Sequence, residues 1–166
     1  VTNMESMFEG ATAFNGDVTT WDVSNVDYMG WMFYDASSFN QDLSAWNIGA
    51  VTAADRMLSG TSLSTLNYSK LLRSWATQPH QSGTAQNPIV LAVNTDYYNT
   101  VEANRQALID DHWDIFDGGP TPAQSSSIMS VPIASSITVG QPVSASTLSG
   151  GMGMPIGTFA FADPSA

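Results

Sequence analysis

The sequence predicts an α/β solenoid, with a helix plus a short parallel strand per coil, a C-terminal cap, and then a partial all-β module. Three observations predict it: a 25-residue repeat, a change of apolar period inside each repeat, and a compositional break after Gly119. Aligning residues 1–25 with 26–50 gives nine identities: Val1/Val26, Met4/Met29, Met7/Met32, Phe8/Phe33, Ala11/Ala36, Phe14/Phe39, Asn15/Asn40, Asp17/Asp42 and Trp21/Trp46. A third copy opens with Val51, Met57, Leu58 and Gly60 and then decays, as a terminal coil does.

Within a repeat, Val26, Met29, Met32, Phe33 and Ala36 fall on one side of an α-helix. Leu43, Trp46 and Ile48 then read as a short strand with its bulky residues inward. Such a unit closes no core alone, but stacked coils do, with strands about 4.8 Å apart in a parallel ladder. Asn15 and Asn40 stand at the bend, where a buried amide would satisfy backbone groups of the next coil. Trp21, Trp46, Trp75 and Trp113 are read as core.

The closing segment follows its own patterns. Tyr68, Leu71, Leu72 and Trp75 at i, i+3, i+4 and i+7 predict a helix over 64–77. A polar loop over 78–87, with Pro79 and Gly83, is expected to cover the final edge of the ladder. Residues 89–93 form an apolar run that predicts a buried strand. Thr95 is placed to cap a second helix, and residues 113–116 form the last strand of the ladder. The first domain is thus 1–119, and 120–127 is a Pro/Ser/Thr linker. Residues 128–166 hold one charge, Asp163, with strands expected over 128–133, 142–148 and 157–161.

The string M-x-x-M-F-x-x-A-x-x-F-N-x-D-(L/V)-x-x-W-(D/N)-(V/I) resembles the BspA-like leucine-rich-repeat surface proteins of bacteria. The likeness runs on through Leu66-Asn67-Tyr68, Leu71-Leu72, Trp75, Tyr98, Arg105, Leu108, Trp113-Asp114-Ile115 and Asp117-Gly118-Gly119, which match the segment that closes such arrays. The third copy departs from it by lacking F-N-x-D and the Trp. The text A-S-S-I-T-V-G-Q-P-V-S-A-S-T-L-S-G-G followed by G-T-F-A-F is similar to bacterial Ig-like repeats, of which only about half a module is present. The resemblance implies a leucine-rich-repeat-like solenoid with an Ig-like partial module, located extracellularly or at a bacterial cell surface, and engaged in adhesion.

Composition sets limits on function. The chain has 166 residues, 15 Asp+Glu against 4 Lys+Arg, a net charge of -11 and no cysteine. So few cations argue against nucleic acid and against anionic membranes. Without cysteine there is no disulfide, thiolate chemistry or Cys-type zinc site. No apolar run reaches the roughly 20 residues of a membrane span.

No cofactor, metal or catalytic residue is expected. The acids around His112, namely Asp110, Asp111, Asp114 and Asp117, lack the order of a calcium loop, and His80 reads as an exposed loop residue. Asp17 and Asp42, one repeat apart, suggest either a pair of carboxylates for glycoside chemistry or a turn used once per coil, and the second reading is preferred. Serines occur without a nucleophile elbow. Lys70, the single lysine, lies opposite the apolar stripe of its helix, which leaves no isopeptide crosslink.

The candidate contact residues are Tyr28 and Trp31, which fall off the predicted helix's apolar stripe, and Asp22 and Asn47 on the polar strand face. Packing against a loop or against the Ig-like part is the competing reading of the aromatic pair. Residues 1–65 carry eight acids and one arginine, which favours a basic protein partner. The expected function is a non-enzymatic binding module. The alternative is a subunit of an extracellular filament whose half Ig-like module is completed by a neighbouring chain, so that self-association replaces a protein or cell-surface ligand.

Overall fold

The structure, a computed structural model, describes residues 1–123 and, further on, two short strands. The chain divides into two units, Val1–Ala123 and Gln124–Ala166. In the second, β5 (Ile133–Ala134) pairs antiparallel with β6 (Leu148–Ser149). The rest of the expected strands 128–133, 142–148 and 157–161, and the partial Ig-like module they would form, lie outside the described residues.

The first unit mixes helix and strand, with small parallel sheets and no closed barrel among the described residues. Successive repeats lie side by side, as the sequence predicts, but the repeat's two halves are built differently from expectation. The half read as a helix is a run of tight turns. Its backbone N–H groups alternate between two partners. Those of Met4, Ser6, Phe8 and Gly10 donate to the carbonyls of Tyr28, Gly30, Met32 and Tyr34 in the next repeat, at 2.8–3.0 Å. Those of Met7, Glu9 and Ala11 donate three residues back, to Met4, Ser6 and Phe8.

Repeat 2 does the same toward repeat 3, with Met29, Trp31, Phe33 and Asp35 donating to Ala53, Asp55, Met57 and Ser59. Parallel bridges Asn3↔Tyr28↔Ala53 mark this ladder. The ladder therefore runs through the segment expected to be helical. An α-helix is excluded there by left-handed backbone at Ser6, Trp31 and Arg56 (φ 56°, 62° and 51°) and at Gly10, Asp35 and Gly60 (φ 66°, 55° and 77°). Each set recurs every 25 residues.

The other half, read as a strand, is also a chain of turns. Trp21 and Trp46 N–H groups donate to Val18 and Leu43 carbonyls, three residues back. Side-chain-closed turns alternate with these. The Oδ1 atoms of Asp17, Asp22, Asp42 and Asn47 accept from the backbone N–H two residues on, at 2.9–3.0 Å.

Both halves still direct the predicted side chains inward, because a three-residue back-bond repeats at nearly the spacing of a helical turn. Met29, Met32, Phe33, Ala36, Leu43, Trp46 and Ile48 are all buried. Phe8 stacks on Phe14 and Phe33 on Phe39 with the same geometry, centroids 3.9 Å apart and planes at 14°. Trp46 donates Nε1–H to the Val18 carbonyl of the repeat before it (2.9 Å). Trp21 is only half-buried, because no repeat covers its outer side among the described residues. Asn15 and Asn40 do bind the following repeat, Asn15 Oδ1 accepting from Asn40 N–H (2.9 Å) and Asn40 Oδ1 from Ser64 N–H (2.8 Å), but from exposed positions.

Helix α1 (Thr65–Trp75) is where the spacing placed it, with Ser64 Oγ capping the Asn67 N–H. Its buried face carries Tyr68, Leu71, Leu72 and Trp75. Strand β1 (Ile89–Ala92) continues the ladder, since Val93 just beyond it bridges Leu58 of repeat 3. It pairs parallel with β3 (Trp113–Phe116), Ile89 opposite Trp113.

Between them lie β2 (Tyr97–Tyr98), a 3-10 turn Asn99–Val101 and α2 (Glu102–Asp110). Thr95 is therefore not the cap of α2; Val101 precedes the helix and gives no side-chain cap. β2 pairs with β4 (Pro120–Thr121), so the first two residues of the expected linker belong to this unit. The 78–87 loop does not cover the final edge. It spans the side, with Gln78 Nε2 donating to Trp46 O (2.9 Å) and Gln81 O accepting from Trp113 Nε1–H (3.0 Å).

Candidate contact surface

The left-handed row fixes what the repeats display. A residue at positive φ turns its side chain out of the ladder, at a cost of about 1–2 kcal/mol for a non-glycine residue. Trp31 and Arg56 occupy equivalent places in adjacent repeats, and the Arg56 guanidinium lies 5.4 Å from the Trp31 ring centroid. Tyr34 also packs on Trp31, centroids 5.0 Å apart. Trp31 is thus half-buried beside an aromatic and a cation, outside the core. The segment that carries it is a run of turns, so Trp31 does not lie on a helix face.

Tyr28 belongs to the ladder itself through its backbone and keeps 39% of its surface exposed, with its ring over Gly30. Asp27, Asp35 and Asp55 belong to the same stretch of adjacent repeats, and Asp35 lines a shallow hollow with Tyr34, Arg56 and Asn94.

Asp22 and Asn47 form a different group. Each spends its Oδ1 on a turn, Asp22 toward Ser24 and Asn47 toward Gly49. Hydrogen bonds from the Ser24 side chain and backbone hold the exposed Asp22 carboxyl below the usual range. Asn47 also lines an open groove with Ser24, Ser44, Gly49, Gln78 and Gln81. No hydrogen bond or ring contact joins Asp22 or Asn47 to Tyr28 or Trp31 among the described residues.

Asp17 and Asp42 likewise act as turn residues. Hydrogen bonds from Thr19 lower Asp17. Burial works to raise Asp42, but the Lys70 ammonium at 2.8 Å and Ser44 outweigh it and hold it low. A general acid needs the opposite shift.

A family model described as "Mycoplasma protein of unknown function, DUF285" matches residues 1–87 of the 166. The chain belongs to the DUF285 family. The DUF285 match takes in the repeats, α1 and the loop after it, and stops short of β1. The aromatic–cation surface of Trp31, Tyr34 and Arg56 therefore lies inside the DUF285 part of the chain. No curated protein and no solved structure matches this DUF285 chain.

The DUF285 chain has two histidines. His112 is exposed at left-handed φ (63°), and among the described residues no group of three or more His, Asp or Glu converges to hold a metal. His80 is not the exposed residue expected. Its side chain is 9% exposed, its Nδ1 lies 2.9 Å from Gln78 O and its Nε2 3.0 Å from Asp111 Oδ2. It fastens the loop to the end of α2.

Composition and spacing gave no sign of one further cluster. Asp117, with its side chain 2% exposed, accepts from Tyr68 Oη (2.8 Å) and from Arg105 Nε (2.8 Å). Arg105 also donates to Ile115 O (3.1 Å) and stacks over Tyr97. These groups tie α1, β2, α2 and the segment after β3 together.

Proposed function

We propose that this chain is a non-enzymatic binding module acting outside the bacterial cell, with repeats that form a leucine-rich-repeat-like solenoid of the BspA type and a following partial Ig-like module. The repeated motif and the repeat-to-repeat ladder support the solenoid reading. Its location rests on the resemblance of that motif to surface proteins. The partner expected is a basic protein segment, met by the row around Trp31.

One observation carries the reading. Trp31 sits in strained left-handed backbone, with Arg56 resting on its face, where repeat 1 has a serine. A large aromatic kept out of the core at an energetic cost is a contact residue by the logic of stored strain. Arg56, the one cation of residues 1–65, occupies the place an incoming lysine or arginine would take. The acids of the same repeats draw such a cation in, at a rate that falls with salt.

The test uses poly-L-lysine as the probe, read by tryptophan fluorescence and calorimetry. Trp31→Ala is expected to weaken binding about five-fold, the worth of one cation–aromatic contact. Arg56→Gln, which uncovers the ring, strengthens it by more than the matched charge change Arg73→Gln. Equal effects of the two arginine changes, together with no effect of Trp31→Ala, refute the reading.

A further inference from the structure

The open groove beside Asn47 is a second surface with chemistry of its own. It is lined on one part by the turn-rich half of repeat 2, from Ser44 to Ala50, and on the other by Ser74 of α1 and the start of the loop after it, Gln78 to Gln81. Its volume is about 700 Å³, within the range of small-molecule sites. In a chain of net charge -11, none of the described residues that line it is charged. Ion pairing with an anion or a cation is therefore not what this surface is built for. Of the lining side chains, Ala45, Ala50 and Pro79 are the apolar ones, small carbon patches without a ring to anchor an apolar ligand.

The main chain along the groove is closed to a peptide strand. An added strand pairs with alternate residues, through both the N–H and the C=O of each. Ser44, Trp46 and Ile48 have both groups engaged. Their N–H groups go to Asp42 Oδ1, Leu43 O and Gln78 Oε1, and their carbonyls accept from Ser74 Oγ, Gln78 Nε2 and Val51 N–H. In the other register Gly49 is engaged at both, by Asn47 Oδ1 and Gln81 Nε2.

Side-chain groups remain, and the same bonds orient them. Asn47 Oδ1 accepts from Gly49 N–H (2.9 Å), which leaves Nδ2 as a donor. Gln81 Nε2 donates to Gly49 O (2.7 Å), which leaves Oε1 as an acceptor. Ser24 gives its hydroxyl proton to Asp22 (2.6 Å) and keeps an oxygen that accepts. Gly49 holds space open among them, since a Cβ there would lie 3.1 Å from Asn47 Oδ1 and 3.5 Å from Pro79 O. Neutral donors and acceptors fixed in advance, next to small carbon patches, match a ring that gives and takes hydrogen bonds at its hydroxyls and shows C–H groups on its faces. We infer that this groove is a binding site for a neutral saccharide, distinct from the surface around Trp31.

The experiment titrates the isotope-labelled full chain with neutral oligomers of glucose, mannose, galactose and N-acetylglucosamine, and with a Gly-Ser peptide. The side-chain amide signals of Asn47 and Gln81 are followed by NMR. Asn47→Asp keeps the oxygen that closes the turn and removes the donor. Ala45→Leu fills the groove from an exposed position, and Gln86→Glu makes the same charge change as Asn47→Asp on an exposed residue outside it. At least one oligomer is expected to shift both amide signals together, with an affinity that salt leaves unchanged, unlike that of an ion pair. Asn47→Asp and Ala45→Leu each weaken it about ten-fold, the worth of one hydrogen bond, and Gln86→Glu does not. The inference is overturned by unmoved amide signals with every oligomer, by binding that survives both groove variants, or by the peptide shifting these signals where the saccharides do not.

Discussion

Trp31 pays for its exposure in backbone strain, which makes its role separable from stability. Glycine adopts left-handed φ without the side-chain clash that tryptophan suffers at φ 62°. Trp31→Gly is therefore expected to be more stable than Trp31→Ala by about 1 kcal/mol, measured by urea unfolding. The reverse change at the same row, Gly60→Ala, places a Cβ against Asp35 as well as at φ 77°, and destabilises. The sequence singled out Trp31 because it misses the apolar stripe, but attributed that to the far side of a helix. Helix and turn ladder bury the same positions, so the stripe alone does not separate them. The available signal was Gly10 and Gly60, two periods apart, with Asp35 between them. Glycine or aspartate at one fixed place in every repeat marks left-handed backbone, which no helix interior accepts.

At the scale of elements, the cap is held by one buried ionic cluster. Asp117→Ala removes the acceptor of both Arg105 and Tyr68 Oη, leaving a shielded guanidinium unpaired. It is expected to cost about 3–5 kcal/mol in urea unfolding. The tyrosines offer a second measurement. Burial, and then the hydrogen bond to Glu102, push the Tyr97 hydroxyl up to about 12, and burial with the Asp117 charge raises Tyr68 further. Both lose their proton sooner when unfolded, so the stabilisation each gives is complete below pH 10; that of Tyr97 is lost as pH rises through about 12, and that of Tyr68 only at higher pH still. A near-ultraviolet titration should leave two of the five tyrosines un-ionised until the chain unfolds. α1, β1 and β3 were legible because each announces itself by local spacing. The cluster was not, since Tyr68, Arg105 and Asp117 are brought together only by tertiary packing.

Across the Val1–Ala123 unit, the ladder bonds join repeat 1 to repeat 2 and repeat 2 to repeat 3, so damage should stay local. Phe33 is the hub of the aromatic stack, within 6.3 Å of Phe8, Phe14, Phe39 and Trp46 by ring centroid. Phe14 shares two of these neighbours, Phe8 and Phe39, but lies half-open on the outer side. Phe33→Ala is therefore expected to cost about 3–5 kcal/mol and Phe14→Ala clearly less, because only the first leaves a closed cavity. Hydrogen exchange carries the argument further. In Phe33→Ala the amides of Met4, Ser6, Phe8 and Met29, which form the ladder on either side of the void, should exchange faster. Those of Ile89 and Val93, bonded to His112 and Phe116 beyond repeat 3, should keep protection closer to the parent's. Uniform loss at both places would mean that repeats and cap unfold as one block, and the nearest-neighbour account of this ladder would fail.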